Sequence, residues 1–548
     1  MSPAPALVHG PVQTAVSDVP LQAPERVSTW TTLRHRQFKS MWVSGGIYFI
    51  GNAMQTMAAS WMMVQISGSS FLAALVQTAV FLPMFLLSLP AGVWADITDR
   101  RRLILVALAV QAVFGTLLTV LMLLKVGGPG TLLFMIFICG SCTALLSPAW
   151  NSTIGDSVPR AELPQAITVI SIVYNAARAL GPALAGLIFA LLGGAWNFAL
   201  AVLSTLVMIV AIRRFPPKEH PPSRLPPERL WGGMVSAVRF ARHSQPVLAQ
   251  LVRTVAFSAA GCALWALLPA IGKQQLELEA SGFGLLMGCL GGGAVLIGFF
   301  IGRLRASYGL EAVVRTACVA YALMMLVAAF SRWDWPVYPA LAVAGAAWMS
   351  AMSTYNTATQ TSVPPWVRAR AVAMHTLTAL GSFAIGSAFW GALADLLGLS
   401  YALCAAAICM LAGLLLAKPF PLRMGEAGEV TQVNNWEDLF ITHEPPPEKG
   451  PIAVESVYRI NPDDAKAFLE TITQLRATRR RDGATLWRVY SDMADPARFI
   501  ERFIVTSWPD YLHQRARLTL ADQKLEAQVR AFQLEGVPVL MQHFLAES

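Results

Sequence analysis

Arg178 stands in the middle of a long apolar stretch, with Tyr174 and Asn175 about one turn before it. A cation at that depth is costly in a bilayer and usually serves a purpose. Its guanidinium can contact an anion or carbonyl in a passage, or pair with backbone carbonyls of neighbouring helices. His375 is the one histidine inside such a stretch. An imidazole there can carry a proton, or sit hydrated at a helix end. Asn52, Gln55, Gln77, Asn151, Asn356 and Gln360 are also set among apolar residues; such groups line passages or hydrogen-bond between helices. No Asp or Glu stands clearly at mid-depth, and no GxxxxGK[ST] loop offers a cradle for nucleotide phosphates. All seven cysteines lie in apolar stretches, which excludes a secreted disulfide scaffold. Cys139 and Cys142 have CxxC spacing but no histidine or second pair nearby, so they read as small packing residues. Neither metal nor cofactor is expected.

The elements that must position these side chains follow from composition. The chain has 548 residues, 55% of them hydrophobic and only 13% charged. Residues 431–548 hold 31 of the 73 charged residues, a normal density for a soluble domain; residues 1–430 hold the other 42, about 10%. A large membrane part followed by one small soluble domain accounts for this, and a wholly soluble, disordered or collagen-like chain is excluded. The net charge of +9 divides into +12 over the first 430 residues and −3 over the tail. The excess cations sit in short loops between apolar segments, which marks membrane topology rather than nucleic-acid binding.

A bilayer core needs about 20 apolar residues per helix. That window predicts twelve spans: 41–66, 71–94, 103–124, 131–154, 164–192, 196–212, 247–271, 283–301, 312–330, 337–360, 371–394 and 401–416. Arginines and lysines crowd one set of loops, while the opposite set holds only Lys125, Lys273 and Arg332. The imbalance predicts a multi-pass inner-membrane protein with both termini in the cytoplasm. The expected layout is an N-terminal tail (1–38), a six-helix half (39–213), a connector (214–246), a second six-helix half (247–418), a polar linker (419–450) and a domain (451–548). The proline-rich first part of the connector should be extended, and residues 228–243 should form an amphipathic helix on the inner leaflet.

Shifting the sequence by 205 residues overlays the fourth-to-fifth helix region on the tenth-to-eleventh. Gly140 falls on Gly345, Asn151 on Asn356, Ser157-Val158-Pro159 on Ser362-Val363-Pro364, Gly181 on Gly386, Gly186 on Gly391 and Leu192-Gly193 on Leu397-Gly398. So many matches at one offset indicate duplicated halves, the way secondary transporters build a midplane site reachable from either side.

Between the second and third spans, Gly92, Asp96, Arg100 and Arg101 resemble the cytoplasmic signature of the major facilitator superfamily; Ile97 and Asp99 depart from it. The resemblance implies a gate at the inner surface. Gly92 would let two helices approach closely, and Asp96 would sit against the N-terminal end of the eleventh helix. Arg100 would pair with Asp156. On the fifth span, Gly181-Pro182-Ala183-Leu184-Ala185-Gly186 resembles the family's antiporter motif, with Ala185 replacing a glycine. Ser147-Pro148-Ala149, Asp156-Ser157-Val158-Pro159-Arg160 and Asn175-Ala176-Ala177-Arg178 are similar to the exporter branch that includes the enterobactin exporter and the transmembrane secretion effector group. The likeness spans about residues 30–420.

The resemblance therefore implies an all-α membrane protein of the major facilitator fold that moves an amphipathic small molecule outward by alternating access, with protons as coupling ion. Import of a small polar solute, or a sensor or enzyme acting through the tail, are the alternatives. Cavity residues would be Asn52, Gln55, Asn151, Asn175, Arg178, Asn356 and His375.

The tail reads as strand 452–460, helix 461–480, strands 486–490 and 498–507, helix 509–533 and strand 537–544. That order suggests a small α+β ferredoxin-like domain. It resembles the antibiotic-biosynthesis-monooxygenase group, whose domains pair their sheets. Trp487, Tyr490, Trp508 and His513 could outline a pocket, or simply fill core and surface; a docking or sensing module is the expected role.

Overall fold

The computed structural model describes residues 29–159, 162–214, 238–433, 445 and 449–546. Among the described residues, twelve long helices precede the tail: α1 (Arg36–Ser67), α2 (Ser70–Ile97), α3 (Arg100–Leu123), α4 (Pro129–Asp156), α5 (Leu163–Leu192), α6 (Gly194–Arg213), α7 (Gln245–Ala270), α8 (Ala280–Gly298), α9 (Ile301–Phe330), α10 (Val337–Thr361), α11 (Pro365–Leu397) and α12 (Leu399–Ala412). Every expected span falls on one of them. Among the described residues, ten of these helices are long and apolar enough to cross a membrane. The two others, α1 and α10, carry the polar runs around Asn52-Gln55-Thr56 and Asn356-Thr357-Gln360. The largest difference from expectation is at α9. It begins at Ile301 rather than 312, because a first segment carrying Arg303 and Arg305 bends into the span at Gly309, where φ is 78°.

The tail folds separately as β1 (Ile452–Arg459), α13 (Ala465–Asp482), β2 (Leu486–Ser491), β3 (Arg498–Val505), α14 (Trp508–Ala516), α15 (Leu520–Arg530) and β4 (Leu540–Leu545). Strand order is β2-β3-β1-β4 with antiparallel neighbours; Val454 lies opposite Phe503 and Ala453 opposite Phe544. Period-two alternation turns Ile452, Val454, Tyr458, Phe499 and Phe503 toward Phe468, Ile472 and Leu475 of α13. The single helix expected over 509–533 is two helices. Thr519 begins a new one, with Thr519 N–H donating to Asp522 (3.0 Å) and Asp522 N–H donating to the Thr519 hydroxyl (3.4 Å). Such a capping box restarts a helix and outweighs the continuous amphipathic pattern.

The twelve membrane helices repeat one packing scheme. In the first half α1 packs on α5 and α6, α3 on α4 and α6, and α2 on α4; in the second α7 packs on α11 and α12, α9 on α10 and α12, and α8 on α10. Backbone geometry carries the duplication to single residues. Gly193 joins α5 to α6 at φ 96°, ψ 164°, and Gly398 joins α11 to α12 at φ 97°, ψ 157°. This region of backbone space is open essentially to glycine alone, which is why Leu-Gly recurs at the 205-residue offset. Gly193→Ala and Gly398→Ala should each lower stability by about 1–3 kcal/mol. Thermal unfolding of the purified full-length protein checks this, with Gly292→Ala, where a Cβ meets open space, as the control.

Candidate functional site

The two halves meet along two seams of small residues. A Cβ on Gly186 of α5 would lie 2.7 Å from the Ala280 carbonyl oxygen and 2.8 Å from Gly284 Cα of α8. One turn earlier Ala183 faces Gly288, and Ala179 faces Gly291. In the other seam Gly391 of α11 sits against Phe71 and Ala74 of α2, the Thr78 hydroxyl donates to the Ala384 carbonyl (2.8 Å), and Gly381 lies against the Phe85 ring. Helices in lipid associate through such close backbone approach. Gly181, at the start of the antiporter-like motif, packs inside its own half on Ile50 and Ala53 of α1; its duplicate Gly386 packs on Ala259 and Cys262 of α7. Pro182 is buried, with its carbonyl oxygen facing Gly284. So α5 and α11 do the same thing twice: one glycine docks to the home half, the next crosses to the other.

These seams favour one side. Trp61, near the end of α1, stacks on Phe283 at the start of α8 (centroids 4.8 Å apart), and Gln274 after α7 donates to the Gly68 carbonyl (2.8 Å). The halves are thus joined on the side opposite the chain termini, which is called the far side below.

On the terminus side the basic cluster is stapled within the first half. Arg100 Nη1 meets Asp156 Oδ2 at 3.0 Å, joining α3 to the end of α4. Arg101 Nη2 donates to the Arg213 carbonyl (2.8 Å), placing a cation at the C-terminal end of α6. Asp99 caps α3 by accepting from Arg101 N–H (2.9 Å), which gives this departure from the family signature its own local role. Among the described residues a Cβ on Gly92 would meet nothing within 4 Å, so the expected close approach of a second helix is not seen there in this state. The expected Arg100–Asp156 pair is formed, and it lies inside one half. The side chain of Asp96 lies outside the described ones.

The seven expected cavity residues separate into two groups. Arg178 reaches from α5 across to α7, its guanidinium carbon 5.6 Å from the Trp265 ring centroid. Beside it Tyr174 packs edge-on against Phe49 of α1 (5.2 Å), and Phe49 against Trp150 of α4 (6.3 Å). Asn52, Asn175 and Asn356 are half-buried and Asn151 is exposed. Asn175 donates to the Ser171 carbonyl of its own helix (2.9 Å), and Asn356 accepts from Gln360 (3.0 Å). Gln55 and His375 do not line a passage. Gln55 is only 5% exposed, inside the first half. His375 is 4% exposed and shares a hydrogen bond with Thr254 of α7 (3.2 Å) rather than sitting hydrated at a helix end. A cleft of about 900 Å³ between α7, α11 and α12, with Phe85 of α2 in its wall, is lined by Ile385, Phe389 and Leu416 among others. None of the seven residues faces it.

Three features were not picked out from sequence. Arg253 of α7, 2% exposed, is held by Glu311 of α9 (Nη2–Oε1 3.0 Å) and also donates to the Phe420 carbonyl (3.4 Å). Glu311 in turn accepts from Leu422 N–H (3.3 Å), which fixes the chain leaving α12. At the far end of α11, Asp395 meets the start of α2.

The tail, finally, is docked. The chain at 431–433 pairs with 518–520, Val433 N–H donating to the Leu518 carbonyl and Leu520 N–H to the Thr431 carbonyl (3.0 Å each). Arg239 donates to the Gly483 carbonyl (2.9 Å), and Arg517 covers the Trp366 ring of α11 at 4.3 Å. Residues 238–243 are helical and bury Phe240 and Ala241 against Val363 and Val367. This part of the connector therefore packs on protein rather than on a lipid leaflet; 215–237 lie outside the described residues. Within the domain, burial pushes the Asp482 carboxyl up against the pull of Arg481. For Asp522 burial is outweighed by Arg481 and Thr519, so its carboxyl is held below the usual range. The four aromatic and histidine candidates do not converge on a pocket. Trp487 is buried and donates to Glu501 (2.9 Å), Trp508 is core, and Tyr490 and His513 are exposed.

Two six-helix halves, each repeating the other's packing and meeting along paired seams, define a membrane transporter fold rather than an enzyme. The chain belongs to the major facilitator family described as "Transmembrane secretion effector", which it matches over residues 27–548. It is 26% identical over 377 residues to the "Multidrug efflux pump Tap" of Mycolicibacterium fortuitum, covering 66% of this chain and 90% of that one. It is 26% identical over 372 residues to the "Enterobactin exporter EntS" of Salmonella choleraesuis, covering 66% and 86%. The nucleoside transporter NupG has a similar fold, with a TM-score of 0.57 at 13% identity over 70% of this chain and 99% of that one. So does a bacterial homologue of the iron transporter ferroportin, with a TM-score of 0.52 at 16% identity over 71% and 99%.

Removing the Glu311 carboxylate strands a buried cation. Glu311→Ala should cost about 2 kcal/mol, less than for a fully enclosed pair because water reaches the Glu311 side. Glu311→Asp should recover part of the loss, and thermal unfolding of the purified protein reads both.

Proposed function

We propose that this transporter exports an amphipathic organic compound (a siderophore, drug or metabolite) by alternating access, with protons moving the other way. The observation that carries the reading is the double seam. Gly186 on α8 and Gly391 on α2 give two like halves a shared interface around which they can rock, the arrangement that exposes a midplane site to either side. The efflux relatives favour outward movement. The positive-inside bias supports placing both termini in the cytoplasm of the inner membrane, so the far side faces out and is the side closed here.

In this reading Arg178, set among Tyr174, Asn175 and Trp265, contacts a carboxylate or carbonyl of the substrate, while Asn52, Asn151 and Asn356 offer further hydrogen bonds. Gly92, Asp96, Arg100, Arg101 and Asp156 form the inner gate, with Asp96 meeting the N-terminus of α11 in the inward-closed state. The tail's element order and antiparallel sheet support the ferredoxin-like reading. Arg488 and Tyr490 of β2 and Phe544 of β4 are exposed, and that surface suits pairing with a second tail. The domain acts as a docking or sensing module, without catalysis.

Everted membrane vesicles containing the full-length protein should accumulate candidate siderophores or dyes when a pH gradient is imposed. Deleting residues 430–548 should leave much of that transport. Arg178→Gln should raise the KM for anionic compounds by roughly tenfold, with a smaller effect on cationic dyes. Failure of every gradient to drive any candidate into the vesicles would remove the export reading.

A further inference from the structure

α2 and α11 run antiparallel across the boundary between the halves. Phe71 and Ala74 meet Gly391, Thr78 meets Ala384, and Phe85 meets Gly381. Each helix thus brings its C-terminal end to the other's N-terminal end. On the far side Asp395, near the end of α11, accepts from Ser70 N–H (2.8 Å), Phe71 N–H (3.1 Å) and the Ser69 hydroxyl (2.6 Å). Those amides open α2 and have no partner within their own helix. They also carry the positive end of its dipole. Ser69 caps α2 in its own right, accepting from Leu72 N–H (3.1 Å), so a single hydroxyl joins the cap to the opposite half. Gln274, also from the second half, holds Gly68 one residue earlier. The duplication does not explain the contact, because the residue 205 positions before Asp395 is Ala190.

We propose that Asp395 is the positioning residue of the far-side gate: its carboxylate holds the N-terminus of α2 closed in this state and releases it when the far side opens. This rests on the alternating-access reading. It also mirrors the role proposed above for Asp96 at the N-terminus of α11. The same two helices then carry one carboxylate latch at each end, and the halves toggle between them.

The test uses full-length protein in lipid nanodiscs, with the native cysteines replaced and spin labels at Val126 and Trp333, exposed sites in the α3–α4 and α9–α10 turns. In the parent the far-side distance should be mainly short. Asp395→Ala should raise the long-distance fraction by roughly threefold to tenfold, Gln274→Ala by less, and Asp395→Glu should restore the parent distribution. Asp96→Asn should act in the opposite direction. An unchanged distribution in Asp395→Ala protein that still unfolds cooperatively would overturn the latch; a silent Asp96→Asn with a responsive Asp395→Ala would overturn the toggle alone. No substrate is needed, so the latch can stand even if transport runs inward or the cargo is misassigned.

Discussion

Backbone touching backbone across the two seams is the constraint on which the rest of this molecule depends. In lipid the hydrophobic effect does little to hold one helix against another, so association rests on fit and on the few hydrogen bonds available. Gly186 against Gly284 and Gly391 against Phe71 and Ala74 supply that fit with almost no side chain between the helices. A seam built this way is tight when engaged, yet little has to be unpacked when it parts. Rocking of two rigid halves needs this combination. Each half also has packing of its own, on Trp150 and Met208 in one and on Phe257, Tyr321 and Trp348 in the other, and Trp61 on Phe283 adds ring contact across the boundary.

Much of this could be read from the chain itself. Hydropathy located all twelve helices, and the 205-residue offset pointed to pairs of glycines whose neighbours are now seen to correspond. The partnership of Arg100 with Asp156 was also legible, because the stretch around Gly92–Arg101 resembles the family's cytoplasmic signature and Asp156 ends the neighbouring helix on the same side. Burial inside a half was not. Gln55 and His375 look like passage residues because a polar side chain in an apolar run reads the same whether it faces water or a neighbouring helix. Arg253 and Glu311 were opaque for a related reason: their partnership is set by the angle at which α7 and α9 cross, 58 residues apart. Asp395 was hidden by its position, since a carboxylate at a helix end next to a turn usually signals only solvent.

The tail departs most from its expected character. The polar stretch after the last span reads as a linker, and its described ends are held: residues 420–423 are bound to Arg253, Glu311 and Ser362, and 431–433 pair with the domain. With Arg517 over Trp366, the domain grips the start of α11, the helix whose other end carries Asp395. One continuous helix of 33 residues, about 50 Å long, therefore links the soluble module to the opposite face of the membrane.

The low apolarity of α1 has a consequence for how the protein is made. It is the first of the described membrane helices to leave the ribosome, yet it is one of the two that are less apolar than the other ten. In the folded protein α6 and α5 cover its Gly51 and Ala53 faces. The polar groups that suit α1 to the interior of the finished protein thus weaken its own preference for lipid, so that helices made later contribute to its stable insertion.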